Sequence, residues 1–400
     1  MGLSREIQRI MVVEPQCWGL EHASINAPLV DTVLLAFPGA QVVFIAEEEH
    51  LGYVRAMMER HDTEESHRVE WRSADIVGRA ATGWPRFALE WASVGRVLQE
   101  ARTRRAQMLL FSSITNTGIL ALMLRLLLRP GGICVLAVMH GMLNRIVGRW
   151  PHKPWNWPLN LRAVLRLPQP PLLWYLVLGD SVYEALAQAQ PSLVRRFRAI
   201  DLPTFPYDSA PDDVFGVAAP DKVIFGHLGV GNITKGFGRF ARIAQDCRGS
   251  EAQAEFLLVG YLSSFRDNAN YSCVAGVTEQ PLSIEEYGRR AHSLTYVINT
   301  ANPDDYRLAP SSSFVEALFY GKPGIYLRNR YVEHCFGLMG DIGYLCDTHE
   351  QMVNIVRGIM RQFPSGRYQQ QVANIRKGRV MLEPRAVARR LFDVVGRCAG

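Results

Sequence analysis

The chain has 400 residues, too many for one core at roughly 100–200 residues per domain, so a single small module is excluded. Hydrophobic residues make up 48% and charged residues 20%, a balance that excludes extended disorder. The net charge of +6 is unevenly spread: between Glu100 and Asp180 there is no acidic residue, while Arg102, Arg104, Arg105, Arg125, Arg129, Arg145, Arg149, Lys153, Arg162 and Arg166 contribute ten positive charges. Such asymmetry points one part of the molecule at something anionic: a nucleic acid, a bilayer surface or a phosphate-bearing acceptor.

The first apolar run, Arg9 to Val13, stops at Glu14, short of the apolar stretch of a signal peptide. Strands are expected at Arg9 to Val13, Gln41 to Ala46, Val69 to Trp71, Met108 to Ser112, Ile133 to Met139 and Trp174 to Leu178. Helices are expected at Ala27 to Phe37, Phe87 to Thr103, Thr117 to Leu128 and Ser181 to Gln188. The apolar stretch Gly118 to Leu124 is broken by Arg125, well below the ~20 residues of a membrane span. Residues 206–221 concentrate proline, aspartate and small residues and read as a linker after a first domain, residues 1–205.

A second domain, residues 222–383, repeats the alternation. Strands are expected at Lys222 to His227, Glu255 to Gly260, Tyr296 to Asn299 and Gly324 to Leu327. Helices are expected at Phe237 to Asp246, near Ile284 to Ala291, at Ser313 to Phe319 and at Gln351 to Arg361. A last helix, within residues 384–400, can pack back on the first domain. Alternating βα units predict an α/β chain with two parallel sheets. Seven cysteines without a CxxC pair or His/Cys ligand spacing speak against a disulfide framework or a zinc site, and for a cytoplasmic location.

Two segments of the second domain could carry chemistry. Asp304 to Pro323 (DDYRLAPSSSFVEALFYGKP) places Ser311, Ser312 and Ser313 before a helix that carries Glu316. Orphan amides and hydroxyls at a helix start suit a phosphate, and Glu316 can accept hydrogen bonds from ribose hydroxyls. Taken alone, Ser311 as a simple cap and Glu316 as a solvated face residue is the plainer reading. Val223 to Phe240 (VIFGHLGVGNITKGFGRF) gives a strand, a turn with Gly229 and Gly231, and Lys235 leading into a helix. Glycines admit close backbone approach to a phosphate and Lys235 adds a point charge, although the segment is neither a P-loop nor a GxGxxG turn. His227 and Gly229 are expected at the cleft edge of this domain.

Taken in order, the glycine turn, Lys-Gly-Phe, the serine loop, Glu-Ala-Leu and Gly-Lys-Pro resemble the C-terminal domain of GT-B nucleotide-sugar glycosyltransferases. The likeness is to the retaining group known as glycosyl transferases group 1. The resemblance implies two Rossmann-like domains whose parallel sheets face across a cleft. It implies no permanently bound cofactor and no metal; a nucleotide-diphosphate sugar is the donor substrate. Lys235 and Gly229 would then serve its phosphates with Ser311, Ser312 and Ser313, and Glu316 its ribose. Leu308 stands where the family commonly has a second glutamate, and Val230 where it often has an arginine; Arg307 or Arg239 is expected to supply the missing positive charge. The acceptor, a saccharide or lipid-linked hydroxyl, is then expected on the first domain, and bacterial polysaccharide or glycolipid assembly is the expected setting.

In that domain, Glu21 and His22 follow the first strand and His140 follows the strand ending at Met139. Loops at the C-terminal ends of parallel strands line ligand crevices, so these three are the candidate catalytic residues, with His140 suited to general-base work. Residues 145–175 interleave Trp150, Trp155, Trp157 and Trp174 with basic side chains. The pattern fits peripheral docking on an anionic membrane surface at its cytoplasmic face, packing of an insertion being the rival reading. Nucleic-acid binding is not expected, since no RNP, KH or zinc pattern accompanies it. Rivals to transfer are a nucleotide-sugar epimerase or hydrolase, and a noncatalytic binding protein.

Overall fold

The computed structural model describes residues 7–61, 63–78, 80–148, 150–205, 222–248, 254–263 and 271–399; the expected linker, residues 206–221, lies outside them. The chain divides into two compact units: unit 1 comprises Met1–Phe205 and Met381–Gly400, and unit 2 comprises Pro206–Val380.

Unit 1 is built on seven parallel strands: β1 (Arg9–Val13), β2 (Gln41–Ala46), β3 (Val69–Ser73), β4 (Met108–Phe111), β5 (Cys134–Val138), β6 (Leu173–Leu178) and β7 (Phe197–Ile200). Their spatial order is β3-β2-β1-β4-β5-β6-β7. β1 pairs in register with β2 (Val12 opposite Phe44) and with β4 (Val12 opposite Leu110). Helices α1 (Ala23–Ala36), α2 (Glu48–Arg60), α3 (Gly83–Thr103), α4 (Asn116–Leu128), α5 (Asn144–Val147), α6 (Leu161–Val164) and α7 (Asp180–Ala189) form the connections. Covered on both faces, β4 and β5 are buried throughout and read as unbroken apolar runs.

Unit 2 has five parallel strands: β8 (Val223–Leu228), β9 (Ala254–Val259), β10 (Tyr296–Asn299), β11 (Gly324–Leu327) and β12 (Gly343–Cys346), in the order β12-β11-β10-β8-β9. Its helices are α8 (Phe237–Asp246), α9 (Ile284–Ser293), α10 (Ser312–Phe319), α11 (Arg330–Met339), α12 (His349–Arg361) and α13 (Ser365–Arg379). The core is aromatic: Phe225, Phe237, Phe240 and Tyr296 are fully buried, with Phe225 stacked on Phe256 at 5.3 Å.

The last helix, α14 (Pro384–Ala399), belongs to unit 1 and packs along α1. Arg390 fixes it, donating to Asp180 at 2.6 Å and to Asp201 at 2.5 Å. The Trp174 indole donates to the Cys398 carbonyl at 3.2 Å, and Phe392 packs on Phe37.

Each sheet has one place where the chain, having wound outward on one side, returns to build the other. In unit 1 it lies between β1 and β4; in unit 2, between β8 and β10. In open parallel sheets this switch point leaves a crevice beyond the carboxyl ends of the two strands, where ligands bind. The strand order therefore singles out the loops after Val13, Phe111, Leu228 and Asn299.

Candidate functional site

In unit 2 the β8 and β10 loops are pressed together by glycine. Gly236, before α8, has φ 72°, and a Cβ there would lie 2.1 Å from the Thr300 carbonyl oxygen. Thr300 Oγ1 in turn donates to the Gly236 carbonyl at 2.7 Å. Only glycine permits that approach. It leaves Lys235, whose amide donates to Asn232 Oδ1 at 2.8 Å, beside the serine loop: Lys235 Nζ is 3.5 Å from Ser312 Oγ and 5.5 Å above the Tyr306 ring. The amides of Gly229 and Gly231 are used differently from what the glycine turn suggests. They donate to the carbonyls of Val259 and Tyr261, at 2.9 and 2.8 Å, and so extend the pairing with β9. Gly229 has φ 90° with open space where a Cβ would be.

The three serines differ. Ser311 is buried and caps α10, accepting from the Phe314 amide, and both it and buried Ser313 accept from Asn299 Nδ2 at 3.3 Å. Ser312 is the half-buried member that meets Lys235. One turn on, burial pushes the half-buried Glu316 carboxyl up to about 7, against a hydrogen bond from Tyr287 and the charge of Lys235, which both lower it. Lys235, Ser312 and Glu316 therefore form one electrostatic neighbourhood. Gly321 and Lys322 close α10: buried Lys322 donates to the His292 carbonyl at 2.7 Å, and burial holds its amine down to about 8.

Arg307 is exposed at the end of the short turn Pro303–Tyr306, whereas exposed Arg239 reaches the Thr300 carbonyl at 3.5 Å. Arg239 is thus the arginine at the β10 edge. Leu308 is fully buried. His227 departs from the cleft-edge expectation: only 3% exposed, it packs edge-on to Phe237 at 5.2 Å and against Phe240 at 5.6 Å. Burial, reinforced by the charge of Lys235, lowers it to about 3, and the Val230 backbone offsets little. It is a neutral core imidazole. Sequence reasoning missed Asn299 and Thr300, although polar residues directly after the apolar run Tyr296–Ile298 were the available signal.

In unit 1 the switch point is organised by Glu14, which the sequence reading passed over as a mere end to an apolar run. Only 1% exposed, it accepts from the amides of Gln16 and Cys17 at 2.8 and 3.2 Å, from Asn26 Nδ2 at 3.1 Å, from Ser112 Oγ at 2.8 Å and from Ser113 Oγ. Asn26 also donates to His50 Nε2 at 2.9 Å, so the other ring nitrogen, Nδ1, donates to the Gly19 carbonyl at 2.7 Å. Glu47 accepts from the Gly19 amide at 3.2 Å. The loop ahead of α1 is thereby pinned at both ends and in its middle.

That loop delivers His22 in the left-handed region, φ 55°, a strained conformation for a non-glycine residue. Its Nδ1 lies 3.4 Å from Cys17 Sγ. The His22 ring meets His140 edge-on, with centroids 5.1 Å apart. Two of the three candidate catalytic residues of unit 1 are thus in contact; Glu21 is half-buried beside His22.

No family model and no curated protein matches this sequence. Solved structures match over nearly its full length. HepE of Anabaena in complex with UDP-glucose aligns with 97% of this chain and 99% of its own, at 14% identity and a TM-score of 0.64. Sucrose-phosphate synthase of Thermosynechococcus elongatus aligns over 98% of each chain, at 15% identity and a TM-score of 0.66. A glycosyltransferase of Rickettsia africae covers 98% of this chain and 99% of its own, at 8% identity and a TM-score of 0.64. At such identities the likeness is one of fold. It is the GT-B fold, an α/β chain with two parallel sheets, as the sequence implies.

Proposed function

We propose that this chain is a glycosyltransferase that holds a nucleotide-diphosphate sugar on unit 2 and passes the sugar to an acceptor hydroxyl served by unit 1. The observation that carries the reading is the grouping of Lys235, Ser312 and Glu316 at the β8/β10 switch point. A cation and a hydroxyl for a diphosphate stand there within reach of an acid for a pentose. The UDP-glucose complex of HepE, a protein of the same fold, supports it.

Glycosyl transfer needs charge stabilisation on the departing diphosphate, which Lys235 and Arg239 can supply electrostatically without a metal. Glu316 fixes the nucleoside so that the reacting carbon is held in place. The resemblance to the retaining group extends this to retention at the anomeric carbon. In unit 1 the His22 and His140 pair positions the acceptor hydroxyl, part of a saccharide or of a lipid-linked glycan in polysaccharide or glycolipid assembly.

Calorimetric titration with UDP and UDP-glucose tests the donor site. Lys235→Ala is expected to lose roughly 2 kcal/mol of UDP affinity, about thirty-fold, with the fold retained. Unchanged affinity in the variant, or no binding of UDP, GDP or ADP forms by the wild type, removes the assignment. Labelled donor then separates transfer from its rivals, because free sugar released without an acceptor marks a hydrolase.

A further inference from the structure

The strongest unassigned feature lies on unit 1, where four tryptophans form a contiguous exposed face. Trp84 opens α3 at 41% exposure; Trp150, Trp155 and Trp157, around the turn Pro154–Leu159, are 42%, 63% and 48% exposed. They are tied together through backbone. The Trp84 indole donates to the Trp155 carbonyl and that of Trp157 to the Pro151 carbonyl, both at 2.9 Å, while the Trp150 and Trp157 rings meet at 6.0 Å. With their indole N–H groups already satisfied by the protein, Trp84 and Trp157 can leave water without stranding a donor. Val147, at the end of α5 and three residues before Trp150, adds exposed aliphatic surface. A cluster of this kind on a surface marks an interaction site.

Charge identifies the partner. Arg145, Lys153 and Arg166 are exposed beside or between the tryptophans in sequence, and Lys153 Nζ lies 5.7 Å over the Trp155 ring. Residues 101–179 contain no acid. Glu90, the acid nearest Trp84 along α3, is buried and occupied by Arg86, Thr115 and Thr117, so it does not cancel the positive field. Interfacial tryptophan with aliphatic side chains and unopposed cations is the combination that seats a protein in the headgroup layer of an anionic bilayer. None of the described helices is long and apolar enough to cross a membrane.

We infer that unit 1 docks on an anionic phospholipid surface through Trp84, Trp150, Trp155, Trp157 and Lys153. The face stands at the carboxyl end of the sheet: His140 is five residues before Arg145, and Asn116, at the start of α4, bonds both Arg145 and the Leu159 carbonyl. Resting on the transferase reading, the acceptor served by His22 and His140 is then one carried in the membrane.

Flotation of the full chain with phosphatidylcholine vesicles, with and without phosphatidylglycerol, is the test. Binding only to the anionic vesicles, weakened by added salt, is expected. Lys153→Gln should reduce it about five-fold, and Trp155→Ala about ten-fold. Quenching of wild-type tryptophan emission by brominated lipid reads the same contact without relying on a variant. Equal binding to neutral vesicles, binding indifferent to these substitutions, single-stranded RNA captured where vesicles are not, or self-association that shields the tryptophans would each overturn the inference. UDP titration of the same samples keeps the two readings separate, since donor binding on unit 2 does not depend on the lipid face.

Discussion

Glu14 directly follows β1 and Glu316 lies on α10, the helix after β10; each belongs to a βα unit that borders its sheet's switch point, and the two are used in opposite ways. Glu14 is saturated: five donors surround it, two from the backbone and three from side chains up to 99 residues away in sequence. Glu316 has a tyrosine and the charge of Lys235, remains partly open, and is held near the point of losing its charge. A buried carboxylate with every lone pair engaged is structural, whatever crevice it lines. A recessed one with few partners beside a cation is left for a ligand to complete. Position in the fold is therefore insufficient to assign function; the count of satisfied bonds separates the two.

Three substitutions can break or sharpen this contrast. Glu14→Ala strands buried donors on both sides of the β1/β4 crevice, and about 3 kcal/mol should be lost from unit 1. Urea unfolding followed by hydrogen exchange reads this, with unit 2 protection unchanged; a loss spread equally over both units would deny the local role. His227→Leu is next. The wild-type imidazole, lowered to about 3, refuses a proton that the unfolded chain accepts below its ordinary value near 6.5. Stability is therefore lost as pH falls through that window, and the variant should gain on the wild type by about 2 kcal/mol between pH 8 and pH 5. Parallel pH curves for the two proteins would show that His227 is not a neutral core residue.

The smallest effect is expected at Glu316. Ribose hydroxyls donate to the ionised carboxylate, so affinity for UDP-glucose, whose esterified diphosphate has no proton to lose in this range, should rise as pH rises through about 7. Glu316→Gln should bind roughly ten-fold more weakly above that pH and show no such rise. A pH-independent wild type would detach this acid from the nucleoside.

Much of the fold is legible in the sequence because its strands are buried on both faces. β1, β2, β10 and β11 have the bounds that their apolar runs imply. What escapes is polar or short. In α2 the buried His50, Leu51, Val54 and Met58, and in α13 Gln371, Val372 and Ile375, share one helix face, but each stripe contains a polar residue that blurs the apolar period; β7, β12 and α11 are likewise not legible. The site divides likewise. Lys235 and Glu316 announce themselves through residues adjacent in the chain, but the bonds of Thr300 to Gly236 and of Ser112 to Glu14 join loops of different βα units. Only the folded sheet brings those partners within 2.7 and 2.8 Å of each other.

The return of α14 to unit 1 has a consequence for how the polypeptide is made. During synthesis the five-stranded unit is complete in sequence before the helix that seals the seven-stranded one has left the ribosome, because Arg390 must still reach Asp180 and Asp201. The first half to be translated is thus the last to be finished, and removing α14 would injure the amino-terminal half of the protein.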